Sequence, residues 1–248
     1  MPRHLIPILI FALSSGLCLA QGGPPLITDD PGTPGNGHWE INIAGILTSE
    51  PTQTVVSIPY FDINYGLGDH LQLKLETGWT LLSQESTGLI SGAGNALAGV
   101  KWRFLDQDSS GVSVSTYPQL GFHDFLSSSN PDIASGGTQL LLPIELSKEF
   151  GTYAFNPEVG YLLSSNEPGA WIYGLVLDYE PHENLEFLAE FHATTRVDGS
   201  GTEMFLNAGT RVPLTPGMSL LFAAGHTVSE FVGEPTQLLV YLGAQLRI

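Results

Sequence analysis

Asp29 and Asp30 stand side by side in Thr28-Asp29-Asp30-Pro31-Gly32. Two adjacent carboxylates are a start on a cation site, but calcium takes about six to eight oxygens. The stretch also reads as a turn, with Thr28 or Asp29 accepting backbone N–H bonds. A third reading is a segment that tucks into a larger structure as a plug. His192-Ala193-Thr194 puts an imidazole and a hydroxyl on one face of an extended chain. A base within reach of a nucleophile is what a hydrolase needs, but Thr is a poor nucleophile without an N-terminal amine and no orienting acid is evident. His226-Thr227-Val228-Ser229 puts His and Ser on opposite faces. Glu186 and Glu190 share one face, as an acid/base pair would and as carboxylates lining a polar interior also would. No metal-ligand spacing, phosphate loop or nucleotide fingerprint is present. The expectation is no catalytic set, no metal and no cofactor, and the question becomes which elements carry these side chains.

Composition narrows the elements. The chain has 248 residues, 42% hydrophobic and 13% charged, with 8 Lys+Arg against 25 Asp+Glu and a net charge of −17. Such a balance repels phosphate and excludes a nucleic-acid binder. The apolar content excludes disorder, and the single Cys excludes a disulfide scaffold. Residues 1–20 read as a cleaved signal peptide: Arg3 is the positive start, Leu5–Leu13 is the apolar stretch, and Cys18 and Ala20 precede a cut before Gln21. A membrane anchor needs about 20 apolar residues, and Ser14-Ser15-Gly16 interrupts this run. A lipid-modified Cys18 meets Leu17 where a small residue is usual. Removing Arg3 with the leader leaves 7 Lys+Arg against 25 Asp+Glu, a mature charge of −18.

Beyond the leader the pattern has period two, not the helical period. Leu71-Gln72-Leu73-Lys74-Leu75-Glu76 and Leu185-Glu186-Phe187-Leu188-Ala189-Glu190-Phe191 are examples. Each run has one apolar and one polar face. About twelve runs are expected, near 37–47, 54–66, 71–82, 94–105, 111–122, 137–147, 152–163, 169–180, 185–195, 203–213, 218–227 and 236–248. Most approach the 9–11 residues of a tilted membrane-crossing strand. Compact turns such as Gly66–His70 and Pro181–Asn184 alternate with longer Ser/Gly/Asn-rich loops such as 83–93 and 123–136. This layout predicts an all-β protein, a single transmembrane antiparallel β-barrel with both termini in the periplasm. The expected division is 1–20 signal peptide, 21–36 periplasmic N-terminal segment and 37–248 outer-membrane barrel.

Charge placement agrees. The phase opposite the apolar one receives ten acids and five bases. The expected lumen-lining residues are Asp62, Lys74, Glu76, Lys101, Arg103, Glu145, Glu158, Glu186, Glu190, His192, Arg211 and Arg247. The five bases among them are expected to pair with facing carboxylates, because an unpaired interior charge is costly. Trp39, Trp79, Trp102 and Trp171 fall on the apolar phase with Tyr65, Phe104, Phe122, Tyr153, Phe155, Tyr161, Tyr173, Tyr179, Phe187 and Phe191, several near strand ends as in interfacial girdles. Pro59, Pro118, Pro143 and Pro157 oppose the pattern, since proline cannot donate to a ladder. Bulges or kinks are expected there, and a soluble β-sandwich is the alternative if they prove to be loops.

The segment Pro24-Pro25-Leu26-Ile27-Thr28-Asp29-Asp30-Pro31-Gly32, followed by Gly37-His38-Trp39-Glu40, resembles a family of outer-membrane proteins named for the meta pathway of phenol degradation. Tyr65–Leu71 resembles that family's first periplasmic turn. Gly243–Ile248 resembles the terminal strand read by the barrel-assembly machinery, with Ile248 replacing the usual aromatic. The resemblance implies a transporter-like barrel for hydrophobic or aromatic small molecules in the outer membrane of a Gram-negative bacterium, in contact with lipid and lipopolysaccharide. The alternatives are a closed structural or adhesion barrel and a membrane-embedded lipid hydrolase using His192.

Overall fold

The computed structural model describes residues 23–84, 88–229 and 235–248. The leader expected over 1–20 lies outside the described residues. The strand segments are β1 (Trp39–Ser49), β2 (Gln53–Leu67), β3 (Leu71–Gln84), β4 (Gly88–Ala93), β5 (Ala96–Leu105), β6 (Ser113–Thr116) and β7 (Gln119–Phe122). They continue with β8 (Gln139–Phe150), β9 (Tyr153–Ser164), β10 (Ala170–His182), β11 (Leu185–Arg196), β12 (Thr202–Thr215), β13 (Met218–Thr227) and β14 (Leu238–Arg247). One helical turn, α1 (Gln107–Ser110), follows β5.

Neighbouring strands pair antiparallel, and β1 pairs with β14 from Glu40↔Arg247 to Ser49↔Leu238, which closes the sheet. β4 and β5 both pair with β3, one on each half of it, so they form one strand interrupted at Gly94-Asn95. β6 and β7 likewise lie between β5 and β8 as one strand interrupted at Tyr117-Pro118. The result is a closed antiparallel barrel of twelve strands. Closure gives every ladder a partner without a free edge, the condition for a β-structure to cross a bilayer.

Two boundaries differ from the sequence reading. The strand expected over 94–105 starts at Gly88, inside the stretch 83–93 expected as a loop. Gly88–Ala93 pairs with Trp79–Gln84, but Ser91, Gly92 and Ala93 carry too little apolar side chain to show an alternation. The last strand begins at Leu238, two residues later than the run over 236–248. The remaining runs coincide with strands to within a few residues.

The prolines sit where pairing is disturbed. Register shifts between Ser57 and Tyr60 on the β3 side, and opposite Ala44 and Ile46 on the β1 side, flank Pro59. Pro118 interrupts its strand, and its carbonyl accepts the Val100 N–H at 3.0 Å. Pro143 lies on β8 between the stretches that pair with β6 and β7, so it faces the same interruption. Around Pro157 the ladder of β8 and β9 skips from Glu145↔Glu158 to Lys148↔Phe155. The missing donors thus fall at bulges and gaps, where no ladder bond is lost.

Side chains sort by strand parity. In β3, Leu73 and Leu75 point outward while Gln72 and Lys74 are buried. All four Trp are on the outside, 42% to 54% exposed. Phe150, Tyr153, Tyr179 and Phe187 stack in a ladder with centroids 6.1, 4.9 and 6.5 Å apart at the short-turn end. Aromatic bands of this kind mark the interfaces of membrane barrels. The inner face, expected to be polar, is polar only in part. Ala44, Val176, Leu188, Leu221, Ala223 and Tyr241 form an apolar cluster there with Leu26. Assigning each strand's apolar phase to the outside hides such residues, because it looks only for the stronger stripe.

Val159 faces outward near the middle of β9. Val159→Arg is expected to destabilise the barrel by about 2–4 kcal/mol in a bilayer. Reversible urea unfolding in lipid vesicles measures this, and an unchanged midpoint would contradict the assigned outer face.

Candidate functional site

The barrel is not empty. Residues 23–37 precede β1 and run into its interior. At the short-turn end Gly37 N donates to Gly66 O and Gly66 N to His38 O, both at 2.9 Å. Gly66 has no side chain because the backbone of Gly35 lies where a Cβ would be. Thr33 Oγ1 donates to Asp69 O at 3.0 Å, and Asn36 Oδ1 accepts from Gly68 N at 3.0 Å. Further in, the chain folds on itself, with Gly23 N donating to Thr28 O at 2.9 Å. Thr28, Asp30, Pro31 and Leu26 are all buried.

Strand side chains from around the wall hold this segment. The Glu190 carboxylate on β11 accepts the N–H groups of Ile27 (3.1 Å) and Thr28 (2.6 Å), and Asn207 Nδ2 at 3.0 Å. Glu158 on β9 accepts the Asp29 N–H at 3.1 Å. Lys101 on β5 donates to Asp29 Oδ1 at 2.8 Å and to the Asp30 carbonyl, and lies 3.6 Å from Glu145. Arg211 on β12 donates to Glu186 at 2.6 Å and to the Pro24 carbonyl at 3.0 Å. Hydrogen bonds to charged groups contribute about 1.5–3 kcal/mol each, so several of them from opposite walls fix one pose. Gly174 on β10 completes the seat. A Cβ there would overlap the Thr28 side chain.

The twelve expected lumen residues divide by location. Lys101, Glu158, Glu190 and Arg211 contact the segment directly, and Glu186 and Glu145 buttress Arg211 and Lys101. Lys74 joins Glu76 at 2.5 Å, Asp62 at 3.7 Å and Asp29 at 3.9 Å. Arg103 and Arg247 stand apart at the short-turn mouth, paired with Asp106 at 2.6 Å and Glu40 at 3.2 Å. His192 borders a cavity described below, and neither of its ring nitrogens has a protein partner among the described residues. Thr194 does not bond to it. Glu186 and Glu190 are engaged by Arg211 and by backbone amides, not by each other.

Asp29 and Asp30 act as anchor and turn. Asp29 Oδ1 accepts the Asp30 N–H at 2.9 Å as well as Lys101, and Asp30 Oδ1 accepts the Gly32 N–H. Thr28, the other expected cap, has no partner for its hydroxyl among the described residues.

Sequence reasoning passed over Tyr117, which is fully buried. Its ring lies 4.6 Å from Lys101 Nζ and 5.5 Å from Lys74 Nζ, and its hydroxyl accepts Gln72 Nε2 at 2.9 Å. Its one mark in the sequence is its place before Pro118; the strand interruption that turns the side chain inward is seen only in the structure. Asn42, Asn64 and Gln72 extend the network to Asp62.

Toward the long-loop end the segment floors a cavity of about 340 Å³. Pro24, Pro25, Leu26 and Ile27 form the floor, and Ile46, Leu141, Leu162, Ile172 and Leu239 are part of the wall. The volume is at the lower end of small-molecule sites, which are typically about 300–1,000 Å³.

No family model and no curated protein matches the chain. Solved structures do. An outer-membrane channel from Pseudomonas putida F1 superposes with a TM-score of 0.69 at 12% identity, covering 86% of this chain and 96% of that one. The fold is that of outer-membrane β-barrels. The NanC porin gives 0.61 at 11% identity, over 84% and 100% of the two chains. The toluene transporter from Ralstonia pickettii gives 0.53 at 10%, over 88% and 92%. At these identities the likeness carries the fold alone.

Gly174→Val should expel Thr28 from its seat. In a chain lacking Cys18, a cysteine placed at Thr28 is expected to be protected from maleimide in the parent and to react readily in the Gly174→Val variant. Equal labelling of both would show that Gly174 does not seat the segment.

Proposed function

We propose that this protein is a channel of the bacterial outer membrane for small, largely apolar molecules, with residues 23–37 as its plug. The observation that carries the reading is the juxtaposition of a closed barrel, a segment bound across its interior and an apolar cavity resting on that segment. A solute coming from the long-loop side reaches the cavity and meets the plug as its floor. The fold shared with the P. putida channel and the R. pickettii toluene transporter supports passage of such solutes. So does the resemblance of residues 24–40 to the meta-pathway family. In this reading residues 1–20 are removed before Gln21, the short-turn end faces the periplasm, and the long-loop end faces outside. The outer face meets lipid and lipopolysaccharide, and the barrel-assembly machinery inserts the chain.

The lining residues then have assigned tasks. Lys101, Arg211, Glu158 and Glu190 hold the plug, and Lys74, Glu76 and Asp62 keep the neighbouring wall charges paired. One observation favours a second reading. The plug fills the middle of the lumen, as it would in a barrel that transports nothing and serves structure or adhesion.

Planar-bilayer recordings separate the two. The parent protein is expected to show small or rare steps, and a chain lacking residues 21–34 to show larger, sustained ones. A deleted chain that still migrates as a folded barrel without heating, yet conducts no better than the parent, would overturn the plugged-channel reading.

A further inference from the structure

The cavity is mostly apolar, but its polar residues are unevenly engaged. Tyr60 donates to Glu76 at 2.5 Å, and Lys74 joins Glu76 at the same distance. Glu158 accepts the Asp29 N–H, and the Asp29 carboxylate is held by Lys101. The Tyr241 hydroxyl has no partner among the described residues, but protein encloses it and a solute cannot reach it. Gln119 is unpartnered among the described residues, but an amide both donates and accepts, so it imposes no choice. His192 differs from all of these. Its Nδ1 is enclosed and has no partner among the described residues, which leaves Nε2 as the ring nitrogen open to the cavity that His192 lines.

The enclosed atom sets the tautomer. A buried N–H without a partner is rarer in proteins than a buried acceptor without one. Nδ1 is therefore the bare nitrogen, and Nε2 carries the hydrogen and points a donor at the cavity. Charge narrows the partner further. Asp29, Glu76 and Glu158 border the cavity against one base, Lys74, which Glu76 already holds at 2.5 Å, and this acidic balance disfavours an anion. A cation has no lone pair to offer an N–H.

We infer that this cavity binds a neutral, largely apolar molecule through one acceptor oxygen, a carbonyl, ether or hydroxyl, that takes a hydrogen bond from His192 Nε2. The inference rests on the channel reading and gives it a solute class and a specificity-determining residue. Leu26 and Ile27 of the plug meet the apolar body of the solute, and His192 on β11 meets its oxygen.

Acetophenone, ethylbenzene and benzoate share an aromatic body and differ at the polar group: neutral acceptor, none and anion. Calorimetric titration of the barrel in lipid nanodiscs, with empty nanodiscs subtracted, is expected to rank acetophenone first. One net hydrogen bond predicts about a three- to tenfold advantage over ethylbenzene, with benzoate weakest. His192→Phe should remove the advantage and leave ethylbenzene binding unchanged. His192→Asn, which keeps a donor, should retain part of it. Equal binding of acetophenone and ethylbenzene to the parent, or an advantage that survives His192→Phe, would overturn this inference while leaving the channel reading intact. Tightest binding by benzoate would overturn it as well. If none of the three binds, the cavity is not a solute site, and the inference fails whatever the conductance of the plug-deleted chain.

Discussion

Lys101 is 2% exposed and sits inside a closed wall, with Tyr117 against it, Glu145 3.6 Å away and Asp29 2.8 Å away. An ammonium so placed has lost its water, and a buried charge deprived of its partner costs about 3–5 kcal/mol. Glu145 alone does not satisfy it, because that carboxylate also takes the Ser115 hydroxyl. The remaining partners, the Asp29 carboxylate and the Asp30 carbonyl, belong to the N-terminal segment. The same holds on the opposite wall. Glu190 finds its donors in the backbone of Ile27 and Thr28, and Arg211 finds an acceptor in Pro24. Without residues 23–37 inside the barrel, Lys101, Glu190 and Arg211 would each lose buried partners. Binding of that segment is part of the fold.

From this follows the shape of the working space. A twelve-stranded wall encloses a lumen, the segment divides it, and what remains toward the long loops is a cavity with an apolar floor. The segment needs room as well as charge. Gly66 and Gly174 supply it at the two places where its backbone and the Thr28 side chain come closest to the wall. The outer surface answers a different solvent. Its apolar side chains, Leu73, Leu75 and Trp102 among them, stay exposed, and their aromatic members gather in stacked bands as membrane interfaces favour.

The barrel was legible in the sequence because its determinants are local. Alternation of period two in Leu71–Glu76 or Leu185–Phe191 decides which face each side chain takes, whatever lies across the lumen. The prolines were legible as disturbances, and the structure shows what kind. Pro118 and Pro143 share one interruption, and Pro59 sits at register shifts. β4 was missed because only Leu89 and Ile90 of Gly88–Ala93 carry large apolar side chains, adjacent rather than alternating, and its pairing with β3 leaves no mark in its own pattern. Tyr117 was missed for a related reason. Its inward turn depends on the broken strand around it.

By itself the sequence determined the strand runs, the apolar outer face, the placement of charge on the other face and the compact turns. Each of these depends on neighbours within a few residues and on the solvent each face meets. Only the tertiary structure decided what Thr28-Asp29-Asp30 does, which bases take which acids, and that His192 finds no hydrogen-bond partner among the described residues. Those outcomes depend on contacts across the lumen, some between residues more than a hundred positions apart, such as Thr28 with Glu190 and Asp29 with Glu158. The physical reason is closure. Until β1 meets β14 there is no enclosed interior, and without it neither the need to pair a buried charge nor the cavity above the segment exists.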